Sequence, residues 1–192
     1  MLHWIQTVGW LACVVYSTIP VFWLVIHMRV EYWRSRERLP YSIIVPGWMA
    51  MWAAVALVTA RWRQVVLYRA WWMWAPAIAV FVVGLWLYGK SGGNFGKQQL
   101  YGLSELKAEG AGQRLVTTGI RAHLRHPVYL AHLCEMLAWS VGTGLAVCYG
   151  LTALTVVSGA VMIGAEDREL ERRFGEEYRV YKLRVPAVIP RI

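Results

Sequence analysis

Charge is scarce in this chain. Of its 192 residues, 16% are Asp, Glu, Lys or Arg, where a soluble domain carries roughly a quarter. Cysteine is scarce as well. Cys13, Cys134 and Cys148 all lie in apolar segments, and no CxxC or Cys/His spacing suggests a metal site, so inert thiols and no bound metal are expected. No GxGxxG opens a helix after a strand, which removes the usual dinucleotide-binding fingerprint. The N-terminus lacks a basic n-region and its apolar run is too long for a signal-peptide h-region, so it reads as a retained first transmembrane helix. No internal repeat and no low-complexity tract is present.

What is there is apolar and aromatic. Hydrophobic residues make up 58% of the chain, with twelve Trp and ten Tyr, enough for aromatic belts at two membrane interfaces. A net charge of +9 would suit nucleic acid in a soluble protein. Here the hydropathy assigns it to cytoplasmic loops, and no nucleic-acid partner is expected. A spanning helix needs about 20 mostly apolar residues. Five segments approach this: 5–28, 42–60, 70–89, 127–141 and 145–164. The fourth is short, and the turn Gly142-Thr143-Gly144 joins it to the fifth as a hairpin, tilted or crossing only in part. Pro20, Pro46 and Pro76 should kink the first three helices or mark where they begin. The expected fold is therefore all-α: one membrane-embedded domain over residues 1–192, a bundle of five transmembrane helices with a cytosolic C-terminal helix.

Charge sets the orientation. With the N-terminus outside, residues 29–41, 90–126 and 165–192 are inside and carry 17 Lys/Arg, against Arg61, Arg63 and Arg69 outside. That split predicts N-out, C-in under the positive-inside rule. Trp62, Trp71, Trp72 and Trp74 then mark the outer interface and Trp33 the inner one. The inner loop 90–126 begins with turn chemistry at residues 91–96, and 98–109 could form a short interfacial helix. The tail from Glu166 to about Leu183 reads as a continuation of the fifth span. Leu170, Phe174, Tyr178 and Tyr181 share one face and Glu166, Glu169, Arg173 and Glu177 another, with Pro186 and Pro190 ending the helix.

Two charged motifs meet this boundary. Arg125-His126-Pro127-Val128-Tyr129 starts the fourth span, and Glu166-Asp167-Arg168-Glu169-Leu170 ends the fifth. Alone, the first is an ordinary helix start, with Pro in the first turn and Arg as a topology anchor. The second alone is a solvated helix laced with pairs such as Glu169–Arg173. Together they place Arg125 and His126 on one wall of a mouth and Glu166 on the other, which suits a zwitterionic ligand: carboxylates for hydroxyl or amino groups, Arg for a carboxylate. His132 and Glu135 lie within the fourth span, three residues apart on one face. Ionisable groups there face the protein interior or a water-filled cavity and mark function by default. Glu135 could bind an acceptor or act as a base; the plainer reading is a buried carboxyl paired with an Arg or kept neutral.

These motifs resemble a known group. Residues 125–129 resemble the RHPxYxG motif of the isoprenylcysteine carboxyl methyltransferase and phospholipid N-methyltransferase families, and 166–170 resemble their EExxL motif. Phe174 to Tyr181, with Val185-Pro186 and Ile189-Pro190, resembles their FGxEYxxYxxxVPxxIP ending; Leu115-Val116-Thr117-Thr118-Gly119 resembles the segment upstream of RHP. The resemblance covers about residues 90–192, making that part the cofactor-binding core and 1–89 three N-terminal helices.

It implies an integral membrane methyltransferase using S-adenosylmethionine, with the cofactor at the cytosolic mouth and a lipidic or apolar acceptor entering from the bilayer. By motif position, His126, Pro127, Tyr129, Glu166 and Leu170 should line the cofactor pocket, with Tyr178 and Pro186 closing it. Arg125 and Arg184 are candidates for holding cofactor or acceptor charge and, with Glu135, form the candidate catalytic set. His132 and Arg121 are candidates for the acceptor side. The sequence departs from the pattern at Ala131 (usually Gly), Asp167 (usually Glu), Arg121 (often Tyr) and Phe95-Gly96 (often Trp-Ser), which touches the acceptor more than the cofactor. A prenylcysteine carboxylate, a phospholipid amine and a small thiol all remain open as acceptors. Two other classes stand beside this one: a nicotinamide-dependent reductase similar to the sterol reductases, and a non-catalytic helical membrane subunit. Small size points to a prokaryotic inner membrane. Oligomeric state is open.

Overall fold

The computed structural model describes residues 2–29, 32–33, 39–92 and 114–189. Its long elements are α1 (Leu2–Met28), α2 (Leu39–Thr59), α3 (Trp74–Gly92), α4 (Pro127–Thr143), α5 (Ala146–Phe174) and α6 (Glu176–Arg184). Among the described residues there is no strand, only a single antiparallel bridge between Val66 and Leu145. Lipid offers the backbone no hydrogen bonds, so long apolar runs satisfy their own N–H and C=O groups as helices.

Among the described residues four helices are long and apolar enough to cross a bilayer: α1, α2, α3 and α5. The expected fourth span is α4, whose 17 residues reach about 26 Å at 1.5 Å each, short of a 30 Å hydrocarbon core. Pro20 and Pro46 lie inside α1 and α2, while Pro76 sits in the first turn of α3. Ser91 and Gly92 extend α3 rather than form a turn. The expected interfacial helix at 98–109, the Phe95-Gly96 pair and Pro190 lie outside the described residues.

The packing is two pairs and an outlier. α3 lies antiparallel along α4, with Leu87 against Leu124 at one end and Trp74 against Trp139 at the other. α1 runs beside α5 in the same direction, Cys13 meeting Cys148 and Leu151 in the main core while His27 meets Glu169. The α4–α5 hairpin joins the pairs. α2 packs mainly on α1 and the short helix Ala60–Gln64, with Trp52, Val55 and Ala56 against the main core, and just 6% of its apolar window is buried.

The tail departs from the expected single helix. Gly175 takes φ +56°, a conformation glycine adopts at little cost, and the chain turns there between α5 and α6. Tyr178 donates to Asp167 and Lys182 reaches Glu171 at 2.8 Å. Each pair is eleven residues apart, which one straight helix would separate by about 16 Å. The fold-back gathers Leu170, Phe174, Tyr178 and Tyr181 with Val185 and Leu115 into one cluster.

Candidate functional site

The site is built on the start of α4. Pro127 opens the helix, leaving His126 in a non-helical conformation before it. The backbone amides of Arg125 and His126 donate to the carbonyls of Pro186 and Ala187, both at 2.9 Å. This short pairing ties the RHP segment to the chain after α6, so Pro186 meets the site through its carbonyl.

Asp167 is the hub. One oxygen accepts from Arg125 at 2.9 Å; the other accepts from the Tyr178 hydroxyl and lies 3.0 Å from His126 Nε2. Lys182 adds a fourth contact at 3.7 Å. Arg125 also donates to the carbonyls of Lys182, at 3.1 Å, and Val185. The second ring nitrogen of His126 stands 3.2 Å from Glu166 Oε2. Burial opposes a charged imidazole here, but the Glu166 and Asp167 carboxylates outweigh it and raise His126 to about 9. Burial and the Asp167 carboxylate both push the Tyr178 hydroxyl well above its usual range, keeping it a donor. Burial pulls the Arg121 guanidinium down, with Glu166 opposing; the Arg121 carbonyl accepts from Tyr181 at 2.7 Å.

One buried donor in this cluster, Arg125 Nε, lacks a hydrogen bond among the described residues, whereas Glu166 Oε2 is answered by His126. Buried polar groups are nearly always satisfied, so Arg125 Nε points to a ligand that supplies an acceptor.

A ladder of rings leads from the cluster into the bundle. His126 stands beside Tyr129, Tyr129 beside His132, and His132 edge-on to both Tyr16 and Tyr88. Tyr16 in turn donates to Glu135. Glu135 is buried against α3, where a Cβ at Gly84 would come within 3.1 Å of its Cγ. Tyr16, Tyr129 and His132 line a cavity of about 430 Å³, otherwise apolar, walled by α1, α4, α5 and the end of the described tail at Val188 and Ile189.

The structure therefore brings together Arg125, His126, Pro127, Glu166, Tyr178 and Pro186, with Tyr129 and His132 beside the cavity. Leu170 packs behind Tyr178 in the tail cluster. Glu135 lies deeper and reaches the cavity only through Tyr16. Arg184 ends α6 as an exposed side chain. Sequence reasoning passed over Tyr16, Tyr88 and Lys182, and read Asp167 only as a shortened Glu. The surplus of cations around one carboxylate-rich turn was the available signal for Asp167. Tyr16 sits in an uninterrupted apolar run and gave none.

Comparison with known proteins finds two methyltransferases. Over 97 residues, 48% of the chain, it is 33% identical to methanethiol S-methyltransferase 1 of Bradyrhizobium diazoefficiens. Over 81 residues, 40% of the chain, it is 36% identical to human protein-S-isoprenylcysteine O-methyltransferase. This chain resembles methyltransferases of the isoprenylcysteine type. The matched segments span about a third and about a quarter of those two relatives' own lengths. No family model matches the chain, and no solved structure matches it. The methyltransferase likeness thus rests on two modest alignments and on the motifs whose residues form the Asp167 cluster.

Proposed function

We propose that this chain transfers a methyl group from S-adenosylmethionine to an apolar acceptor drawn from the bilayer. One observation carries the reading: a polar cluster with an unsatisfied buried donor, Arg125 Nε, stands beside Tyr129, which lines a largely apolar cavity among the helices. A zwitterionic cofactor and an apolar acceptor need such neighbouring compartments.

The residues present fit the cofactor. Arg125 Nε is free to donate to a carboxylate, and the Glu166 carboxylate, held by His126 on Oε2, can accept from a ribose hydroxyl or an ammonium. His126 and Pro127 form the wall between them, with Tyr178 locking Asp167 behind. S-adenosylmethionine, when bound, supplies an electrophilic methyl on a sulfonium. The protein then has to align donor and acceptor and exclude water, and alignment can supply about 7–11 kcal/mol. A carboxylate acceptor needs no base. A thiol or amine must lose a proton, and His132 is placed to take it: it lines the cavity, and its Nδ1 lacks a hydrogen bond among the described residues. Tyr16 couples the same cavity to Glu135 as a reserve of negative charge.

Calorimetric titration of S-adenosylhomocysteine into the purified protein in lipid tests this. Micromolar binding, about −8 kcal/mol, that Glu166→Ala abolishes supports the assignment, and labelled-methyl transfer across thiol, carboxylate and amine acceptors then identifies the substrate. Absence of binding to the wild type, or stabilisation by NADPH instead, sinks it.

A further inference from the structure

The end of the bundle remote from Asp167 carries a second cavity, of about 440 Å³. α4 separates the two, running from His126 at one end to Gly142 and Thr143 at the other. This cavity is lined by Arg63, Arg69, His3, Gln6, Gln64 and Trp74, among others, so its polar side chains are rich in hydrogen-bond donors. Arg63 lays its guanidinium 5.2 Å from the centre of the buried Trp10 ring, which fixes the charge in place.

No carboxylate answers these arginines. The described residues hold seven Asp or Glu. Six lie between Glu166 and Glu177 at the opposite end, and the seventh, Glu135, is about two turns down α4 and bonded by Tyr16. An anion from outside the described residues can supply the counter-charge, and a phosphate mono- or diester or an inorganic anion fits a set of Arg, Gln and His donors.

The walls are built rather than loose. Leu67 donates to the Gly144 carbonyl at 2.8 Å and Ala146 to that of Val65 at 3.0 Å. The Tyr68 hydroxyl bonds the Val141 carbonyl at 2.8 Å and Tyr149 at 2.6 Å. Gln6 reaches the Thr143 carbonyl at 3.4 Å. A Cβ at Gly142 would fall 2.6 Å from the Trp74 ring, so glycine there lets that ring form the wall. Immediately outside, Trp71 and Trp72 are 86% and 60% exposed, as expected of side chains in the headgroup layer.

We propose that this cavity binds a phosphate-bearing anion, and that its source is the headgroup of an anionic phospholipid in the adjoining leaflet. The site is independent of the methyl-transfer reading. With no carboxylate among the described residues there to meet a choline or ethanolamine cation, a net-negative headgroup is favoured over a zwitterionic one.

Thermal unfolding of the purified protein in a neutral maltoside detergent tests it, followed with a thiol-reactive dye that reports the buried Cys13 and Cys148. Phosphatidylglycerol, phosphatidylcholine and inorganic phosphate are added in turn, at matched ionic strength. The proteins are the wild type, Arg63→Gln/Arg69→Gln, and Arg61→Gln, whose side chain stacks on Trp62 and does not line the cavity. Phosphatidylglycerol is expected to raise the wild-type and Arg61→Gln midpoints by about 5 °C or more near saturation, and to leave the double variant unmoved. Equal stabilisation by inorganic phosphate, lost in the double variant, would keep the site but make its ligand a soluble anion. Equal stabilisation of all three proteins by phosphatidylglycerol, or of none by either anion, overturns the proposal. If the double variant fails to fold, the exposed Arg69→Gln replaces it. The phosphatidylglycerol concentration giving half the shift should then rise about tenfold or more, and an unchanged value overturns the proposal.

Discussion

Asp167 holds more of the site than any other side chain described. It accepts from Arg125 and Tyr178, faces His126, and draws in Lys182. Removing one partner of a buried ion pair strands the other in a poor dielectric, at a cost of about 3–5 kcal/mol. Asp167→Ala is accordingly expected to lower the unfolding midpoint steeply even without cofactor. Glu166→Ala removes the other carboxylate facing His126, so it should lower the midpoint as well and in addition cost ligand binding; calorimetry below both midpoints, beside a melting curve, separates the two effects. Glu135→Gln is expected to spare S-adenosylhomocysteine binding and reduce turnover of a thiol or amine acceptor; near-normal turnover would remove Glu135 from the mechanism. His126 makes the cluster sensitive to pH. Its folded-state pKa, raised to about 9, lies above the unfolded value of about 6.5. The stability it adds is therefore complete below pH 6.5 and lost as the pH rises through 9, on the order of 3 kcal/mol. Melting curves across that window should fall for the wild type, and His126→Ala should lack this component.

At the scale of elements, two glycines decide where helices stop. Gly144 ends α4 at φ +65°, and a Cβ there would meet the Tyr68 carbonyl oxygen at 2.4 Å. Gly144→Ala combines left-handed strain with a clash against backbone, so a loss of about 2 kcal/mol or more is expected in detergent melting curves. Gly175 has open space around its Cα, and its role is conformational: it turns α6 back so that Tyr178 reaches Asp167. Helical periodicity along the tail correctly grouped Leu170, Phe174, Tyr178 and Tyr181, yet for the wrong reason. They meet across a fold-back, not along one stripe, because a positive φ at one residue outweighs the propensity of its neighbours.

For the whole molecule, the arginine end and the carboxylate end lie at opposite ends of the bundle. The positive-inside rule predicts the Asp167 cluster on the cytosolic side. Single cysteines at positions 61 and 179, in a background lacking Cys13, Cys134 and Cys148, test this on intact cells. A membrane-impermeant maleimide is expected to label position 61 and not 179; the reverse result would invert the topology. The two compartments of the proposed reaction also belong to this scale. α1, α4 and α5, which enclose the apolar cavity, are far apart in sequence, and no local pattern announces their meeting.

The sequence by itself determined the class of molecule, the apolar segments, the hairpin and the two charged motifs that meet at the start of α4. These follow from hydropathy, from charge distribution and from motifs a few residues long, all of which are local. Tertiary structure alone decided that Asp167 is the hub, that Tyr16 reaches Glu135 across 119 positions, that α4 lies along α3, and that the arginines at the far end share a cavity without a carboxylate among the described residues. Those facts depend on which helix faces share a neighbour. In an almost uniformly apolar chain, hydropathy cannot rank one face above another, so packing had to choose.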